Sequence, residues 1–244
     1  MTIEPATLSR RRFIGLAGAA GLMTLGQPLH AATATSTRIG IIGSGKVGGA
    51  IGRAWVKAGH EVMFSSRNLD NDKALASELG RGARAGTPKD AAGFGEVILI
   101  AVPYGALPDL GKSLKDELKG KVVIDACNPF PGRDGDIANW AREKGSGLAS
   151  AELLPGTRIV RAFNAIGAAR MGTAHEAPGK VGMPIAGDDK EAIAIASRLI
   201  RDMGYEPVLI GGLAMGRHLI PGTPLAGEHS PDEVRQIASK LKAE

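Results

Sequence analysis

Apolar runs of strand length alternate along the chain with segments whose apolar residues recur at helical spacing. The run over residues 96–102 ends in six consecutive apolar residues, as is typical of a parallel strand buried on both faces. Further runs predict strands at 38–42, 61–64, 83–85, 121–126, 158–163, 183–186 and 207–210. Strands separated by helical segments in this way favour a parallel sheet.

The segments between the strands predict helices. After the first strand, one helical face collects the apolar residues Val47, Ala50, Ile51, Ala54, Trp55 and Ala58. Further helices are predicted over 72–79, partly over 107–118, over 188–203 and from Pro231, with a loop-rich tail from residue 211. The alternation indicates an α/β fold, which we expect to be a doubly wound, mostly parallel Rossmann-type sheet in a single domain.

The first 34 residues differ from the rest and predict an export signal. Residues 9–14, Ser-Arg-Arg-Arg-Phe-Ile, resemble the core of a twin-arginine signal, and a short apolar stretch and small residues near Ala34 follow. We therefore expect a twin-arginine signal peptide at 1–34 and the mature domain at 35–244. The twin-arginine translocase would be a partner during export, and the mature protein would be periplasmic or secreted. The alternative is a basic N-terminal segment that is not a signal.

Charge and cysteine content argue against several classes of protein. The formal net charge is +5, but the basic residues outside the first segment are scattered rather than clustered, so we expect no nucleic-acid partner. The single cysteine, Cys127, excludes an intrachain disulfide framework and is expected to be a small core residue. The histidines show neither ligand spacing nor an obvious carboxylate partner, so we expect no metal site.

A glycine-rich motif follows the first strand and opens the first helix. Residues 43–48 read Gly-Ser-Gly-Lys-Val-Gly, in the context that a dinucleotide-binding loop requires. Gly43 would allow the tight turn, Gly45 would let the backbone approach a pyrophosphate, and Gly48 would let the helix pack on the sheet. Free N–H groups at the helix N-terminus would face the phosphates. The alternative is a glycine-rich turn without a ligand.

The end of the second strand indicates which dinucleotide the loop would bind. NAD sites usually have an acidic residue there that accepts a hydrogen bond from the ribose 2′-hydroxyl. This chain has Ser66 and Arg67 instead. An arginine attracts a 2′-phosphate, and a serine hydroxyl can donate to it. We therefore predict NADP(H) as the cofactor; the alternative for Arg67 is a solvated surface arginine.

These residues belong to an ordered set that resembles two related families. They are the deazaflavin (coenzyme F420):NADP oxidoreductases and the NADPH domain of six-transmembrane metalloreductases. The resemblance spans about residues 38–215 and is weakest over 128–148 and from 211 onwards. Its motifs are residues 43–48, 65–68, 101–103, 124–128, 160–164 and 185–189.

The resemblance implies a set of cofactor-binding residues at the strand ends. They are Gly43, Ser44, Gly45, Lys46, Val47 and Gly48 at the pyrophosphate, Ser66 and Arg67 at the 2′-phosphate, Ala101, Val102 and Pro103 at the nicotinamide ribose, and Asn128 and Asn164 near the nicotinamide. For the two asparagines the alternative is loop capping through backbone hydrogen bonds.

We thus expect an NADP(H)-dependent oxidoreductase that transfers a hydride between the nicotinamide and a flavin-like or deazaflavin acceptor. The partner would be a small-molecule electron acceptor or donor. The cofactors carry out such a transfer themselves, so no catalytic side chain is assigned. One alternative is an imine or pyrroline-5-carboxylate reductase, although the tail is short for the helical domain of those enzymes.

A second alternative to this enzyme is a non-catalytic NADP-binding redox sensor or partner module. A homodimer is also considered, because the resembling domains pair through their later helices, and here the helix over Asp188–Met203 carries an apolar stripe. That stripe is expected to pack on the protein's own sheet rather than on a partner.

Overall fold

The computed structural model describes residues 36–243, so the predicted signal peptide at 1–34 lies outside the described residues. Its strands are β1 Arg38–Ile42, β2 Glu61–Ser65, β3 Ala83–Ala85, β4 Val97–Ile100, β5 Val122–Asp125, β6 Arg158–Arg161, β7 Gly182–Gly187 and β8 Glu206–Gly211. They form one sheet in the order β3-β2-β1-β4-β5-β6-β7-β8, in which only β6 and β7 pair antiparallel. The predicted strands and the mostly parallel α/β fold are confirmed.

Eleven α-helices connect and follow these strands within the described residues. They are α1 Lys46–Lys57, α2 Leu69–Leu79, α3 Pro88–Phe94, α4 Leu107–Ser113, α5 Lys115–Leu118, α6 Pro131–Asp134, α7 Asp136–Lys144, α8 Ser146–Leu153, α9 Ala168–Met171, α10 Lys190–Asp202 and α11 Pro231–Ala238. The predictions for α1, α2, α4 with α5, α10 and α11 are confirmed. The helices α3, α6, α7, α8 and α9 were not predicted from the pattern.

Helix α3 illustrates a start signal that apolar periodicity alone does not show. Thr87 caps it, because its hydroxyl accepts from the amide of Asp90 while the Asp90 carboxylate accepts from the amide of Thr87. Pro88 occupies the first helical position, where a missing N–H is harmless. This capping box fixes a helix of only seven residues.

Helices cover both faces of the sheet. On one face α1 and α10 pack together, and the indole nitrogen of the buried Trp55 donates to the carbonyl of Leu199 at 2.9 Å. On the other face Leu107, Leu118 and Ala149, from α4, α5 and α8, pack against β4 and β5. The apolar stripe of α10 is thus part of this core, and a homodimer stays a prediction. Among the residues described, no helix combines the length and apolar character needed to cross a membrane.

The strand register lines up the carboxyl ends of five strands. Ser65 of β2 pairs with Ile42 of β1, which pairs with Ile100 of β4 on its other side. Ile100 pairs with Asp125 of β5, and Asp125 pairs with Arg161 of β6. The loops that begin after these residues therefore meet at one edge of the sheet, where open α/β sheets bind ligands.

Candidate functional site

Two cavities that share part of their lining lie at this edge of the sheet. The larger has a volume of about 590 Å³, and the predicted residues on its wall are Gly43, Gly45, Ser66, Arg67, Ala101, Val102 and Pro103. The smaller has a volume of about 190 Å³ and is lined by Lys46, Val47, Asn128 and the same run 101–103. Ser44, Gly48 and Asn164 line neither of these two cavities. The order of the strands changes direction between β1 and β4, directly beneath the cavities.

The glycine-rich loop is held against the ends of β2 and β4. Gly43 has φ +100°, and a Cβ added there would lie 2.4 Å from the carbonyl oxygen of Ala101. The amides of Gly43 and Ser44 both donate to the carbonyl of Ser65, at 2.8 and 3.0 Å. A Cβ on Gly48 would lie 2.1 Å from the carbonyl oxygen of Gly43. Both glycines are therefore required by close backbone contacts.

Gly45 differs from those two glycines because it faces open space. A Cβ added to Gly45 meets no heavy atom within 4 Å. Gly45 is the N-cap of α1, provides no side-chain cap, and is followed by a first turn without acidic residues. The N–H groups of that turn lie at the positive end of the helix dipole and are therefore available to bind an anion. The loop offers the cradle that a pyrophosphate needs.

The end of β2 contributes a polar cluster around a buried carboxylate. Arg67 is exposed on the wall of the larger cavity. The Ser66 hydroxyl donates to the carboxylate of Asp72 at 2.9 Å, and the Ser44 hydroxyl donates to its other oxygen. Asp72 was not singled out from the sequence. Asp72 and Leu75 are three residues apart and therefore lie on the same face of the helix. This spacing is the sequence signal that could have indicated an inward position for Asp72.

The two predicted asparagines bond to each other across the ends of β5 and β6. The Asn128 amide donates to the carbonyl of Asn164 at 3.0 Å, and the Asn164 amide donates to the carbonyl of Cys127 at 3.3 Å. Asn164 is buried, and its side-chain oxygen has no hydrogen-bond partner. Asn128 lines the smaller cavity, whereas Asn164 does not line it and contacts Asn128 from the buried side.

A strained residue and a buried ion pair fix these asparagines. Phe163 is the one non-glycine residue with positive φ in the described part of the chain, at +65°, a conformation that often marks functional sites. The guanidinium of Arg161 pairs with the Asp125 carboxylate at 2.5 Å and also donates to the carbonyl of Cys127 at 3.0 Å. Burial raises the pKa of the Cys127 thiol. Cys127 is therefore a core residue, as its sequence context predicted.

Three further residues at the site were missed by sequence reasoning. Phe130 and Arg133 line the smaller cavity, with the guanidinium 5.0 Å from the centre of the ring. Asp134 accepts hydrogen bonds from Arg133, from the Phe130 amide and, at 3.3 Å, from the Gly105 amide. Burial raises the pKa of Asp134, but these hydrogen bonds outweigh burial and leave the pKa below its ordinary value. The carboxylate thus ties the start of α6 to the loop after β4.

The histidines and the acidic side chains of the described residues are possible metal ligands. No group of three or more His, Cys, Asp or Glu side chains that could hold a metal ion is found there. The expectation that no histidine has a carboxylate partner is wrong for His60, which is buried 3.1 Å from Asp202. Burial lowers the pKa of His60, and Asp202 opposes that shift. His60 lines neither cavity.

Known proteins share this arrangement of strands and loops. The family described as coenzyme F420-dependent NADP oxidoreductase matches residues 38–129. An F420-dependent NADP reductase of Methanothermobacter marburgensis is 30% identical over 75% of this chain and 87% of its own length. The chain belongs to the F420-dependent NADP reductase family. As a member of that family, it is an NADP-dependent oxidoreductase.

The chain is also similar to a metalloreductase and to a solved structure of a hypothetical protein. The metalloreductase STEAP3 of Rattus norvegicus is 31% identical over 75% of this chain, which spans only 35% of the length of that relative. The crystal structure of the hypothetical protein SMa0349 from Sinorhizobium meliloti superposes with a TM-score of 0.67 at 26% identity. It covers 82% of this chain and 97% of its own. The Rossmann-type architecture is therefore shared over nearly the whole described chain.

Proposed function

We propose that this protein binds NADP(H) across the two cavities and transfers a hydride between the nicotinamide and a flavin-like or deazaflavin small molecule. One observation carries the proposal: the open N-terminus of α1 and the free guanidinium of Arg67 face the same cavity. The first suits a pyrophosphate and the second suits a 2′-phosphate. The relatives named as F420-dependent NADP reductases support the same cofactor.

The residues of the chain would hold the cofactor in a defined order along the edge of the sheet. The first-turn amides of α1 would bind the pyrophosphate, and Arg67 would bind the 2′-phosphate. Val102 and Pro103, which line both cavities, would border the ribose between them. Asn128, in the smaller cavity, would orient the nicotinamide, which supplies the hydride when bound.

The acceptor would approach over the smaller cavity. Phe130 is 40% exposed there, which is unusual for so large an apolar side chain, and Arg133 stands over its ring. An exposed aromatic ring beside a guanidinium can stack against a planar, electron-poor ring system and exclude water from it. This feature supports a flavin-like or deazaflavin acceptor.

Titration of the protein from residue 35 with NADPH and NADH tests the cofactor assignment. The Arg67→Glu variant is expected to lose the preference for NADPH by about a hundredfold, because an attractive charge becomes repulsive at a phosphate. Arg81→Glu makes the same change at an exposed arginine that lines neither cavity, and should behave as wild type. Equal losses in both variants would refute the role of Arg67.

Turnover with chosen acceptors tests the hydride-transfer assignment. Loss of NADPH absorbance is followed with a deazaflavin, with FMN or FAD, and with a cyclic imine. We expect turnover with a deazaflavin or flavin. Turnover with the imine alone would favour the imine reductase alternative, and tight NADPH binding without any turnover would favour a binding module.

We also propose that the chain is exported by the twin-arginine route with its cofactor already bound. The support is the arginine motif at residues 9–14, which lies outside the described residues, together with a fold that binds a nucleotide found in the cytoplasm. Replacing Arg10 and Arg11 together by lysine should leave the protein unexported in cell fractions. Export of the double variant at the wild-type level contradicts the proposal.

A further inference from the structure

Among the described residues, Arg133 is the one charged residue that lines both cavities at the edge of the sheet. The other residues common to the two walls are the run 101–103. The proposed 2′-phosphate residues Ser66 and Arg67 line the larger cavity and not the smaller. Asn128, proposed for the nicotinamide, lines the smaller cavity and not the larger. Arg133 therefore lies where the two cavities meet.

The pyrophosphate is the middle of a dinucleotide, because it joins the two nucleosides. A cofactor with its 2′-phosphate in the larger cavity and its nicotinamide in the smaller one must therefore pass its pyrophosphate through the junction of the cavities. Gly45 lines the larger cavity and Lys46 lines the smaller one, so the N-terminus of α1 also borders this junction.

Arg133 approaches the junction from the side opposite to the glycine-rich loop. That loop follows β1, the run 101–103 follows β4, and Arg133 lies on α6, which follows β5. In the sheet β4 stands between β1 and β5. The Asp134 carboxylate accepts from the Gly105 amide at 3.3 Å and so holds α6 against the loop after β4. The amides of α1 and the guanidinium thus border the junction from its two sides.

The guanidinium of Arg133 is held in one orientation. Nε and Nη2 donate to the two carboxylate oxygens of Asp134 at 2.9 and 2.8 Å, and Nη2 also donates to the carbonyl of Asn128 at 2.9 Å. A guanidinium is planar with five N–H donors, so holding one edge fixes the direction of the others.

The same contacts leave part of the guanidinium for a ligand. Nη1 donates to no residue in the described part of the chain. The Arg133 side chain is 44% exposed, whereas that of Asp134 is 2% exposed and also accepts from the amides of Phe130 and Gly105. The carboxylate therefore orients the guanidinium from the protein side. An oriented guanidinium with free N–H groups suits phosphate oxygens.

From this arrangement we propose that Arg133 binds the pyrophosphate of the cofactor on the side opposite to the first turn of α1. The inference rests on the proposed dinucleotide site. NADPH and NADH share the pyrophosphate, so Arg133 stabilises both through charge-assisted hydrogen bonds. Selectivity between the two cofactors belongs to the end of β2, where Ser66 and Arg67 lie.

Two fragments of the cofactor test the assignment. 2′-Phospho-ADP-ribose keeps the pyrophosphate and lacks the nicotinamide, whereas adenosine 2′-monophosphate keeps the 2′-phosphate and lacks the pyrophosphate. In Arg133→Gln we expect the dissociation constants of NADPH, NADH and 2′-phospho-ADP-ribose to rise about tenfold, the effect of one hydrogen bond to a charged group. The dissociation constant of adenosine 2′-monophosphate should change less than about twofold.

A control and a second variant keep the test decisive. Arg235→Gln is the matched control, because Arg235 also pairs with an aspartate of its own helix, is 57% exposed and lines neither cavity. Arg133→Lys keeps the charge beside Asp134 but loses the planar fork, so 2′-phospho-ADP-ribose should bind about threefold more weakly. Thermal unfolding of each variant, recorded without nucleotide, confirms that the proteins compared are folded.

The outcomes separate this inference from the function on which it rests. Equal losses for the two fragments in Arg133→Gln would place Arg133 at the 2′-phosphate. Unchanged binding of 2′-phospho-ADP-ribose with a higher KM for the acceptor would place Arg133 at the acceptor. Either result, or affinities equal to those of Arg235→Gln, overturns the inference alone. A wild-type protein that binds neither NADPH nor 2′-phospho-ADP-ribose would overturn the proposed function itself.

Discussion

Replacing Gly45 by alanine separates the binding role of the glycine-rich loop from its structural role. Gly45 has φ −69° and ψ −156°, values that alanine also adopts, and an added Cβ meets no heavy atom within 4 Å. The remaining effect on folding is the poorer N-cap propensity of alanine, about 0.5 kcal/mol. The free energy of unfolding should therefore change little.

Nucleotide affinity should change far more in the same variant. The space in front of Gly45 is where a pyrophosphate would contact the first-turn amides of α1, and a methyl group there holds the phosphates away. Each lost hydrogen bond to a charged oxygen is worth about 1.5–3 kcal/mol. Losing two of the weaker kind amounts to about 3 kcal/mol, or roughly a hundredfold in the NADPH dissociation constant.

Calorimetric or fluorescence titration with NADPH, together with thermal unfolding, measures both effects. Gly93→Ala is the control, because a Cβ at Gly93 in α3 also meets open space. Gly48→Ala serves less well, since its Cβ would lie 2.1 Å from the Gly43 carbonyl oxygen and would destabilise the fold. A Gly45→Ala protein that is folded and binds NADPH within about threefold of wild type would refute the pyrophosphate assignment.

Three further predictions concern stability. Arg161→Met leaves Asp125 buried without its charge partner, so chemical denaturation should show a loss of about 3–5 kcal/mol; a loss below about 1 kcal/mol would contradict a buried, charged pair. The pKa of Asp134 in the folded protein lies below its ordinary value, so the unfolded chain takes up the proton first as the pH falls. The stability that the Asp134 carboxylate provides at neutral pH should therefore disappear in acid. Asp134→Asn should flatten this part of the plot of melting temperature against pH. Gly111→Ala would place a Cβ 1.8 Å from the carbonyl oxygen of Leu153, and thermal unfolding should report a loss of about 1–3 kcal/mol; an unchanged midpoint would contradict close packing of α4 on α8.

The parts of the fold that the sequence predicts are those encoded by neighbouring residues. A strand such as β4 is buried on both faces, so its apolar run is visible without any knowledge of its partners. The glycine-rich loop is equally local, because its turn, its cradle and the start of α1 all lie within residues 43–48. Local signals of this kind located one half of the site, the half proposed to bind the cofactor.

The remaining parts depend on contacts between distant segments. Asp72 is explained by Ser66 and by Ser44, and Ser44 lies 28 residues away in the sequence. The role of Asn164 depends on Asn128, which is 36 residues away. Helices α6 to α8 were missed because two of the three are four to eight residues long and none has a side-chain cap. Such helices are stabilised by tertiary packing, which periodicity does not show.

The proposed acceptor side of the site depends on the same kind of distant contacts. Arg161 donates to the carbonyl of Cys127, next to Asn128, and at 3.2 Å to the carbonyl of Leu219 in the tail. The Ser146 hydroxyl at the start of α8 donates to the tail at 2.8 Å, at the carbonyl of Gly216. The cofactor loop is held instead by the end of β2. Substitutions in the tail can therefore reshape the acceptor side while the cofactor loop keeps its geometry. Turnover with different acceptors, rather than the sequence of the glycine-rich loop, is therefore the measurement that would detect such a change.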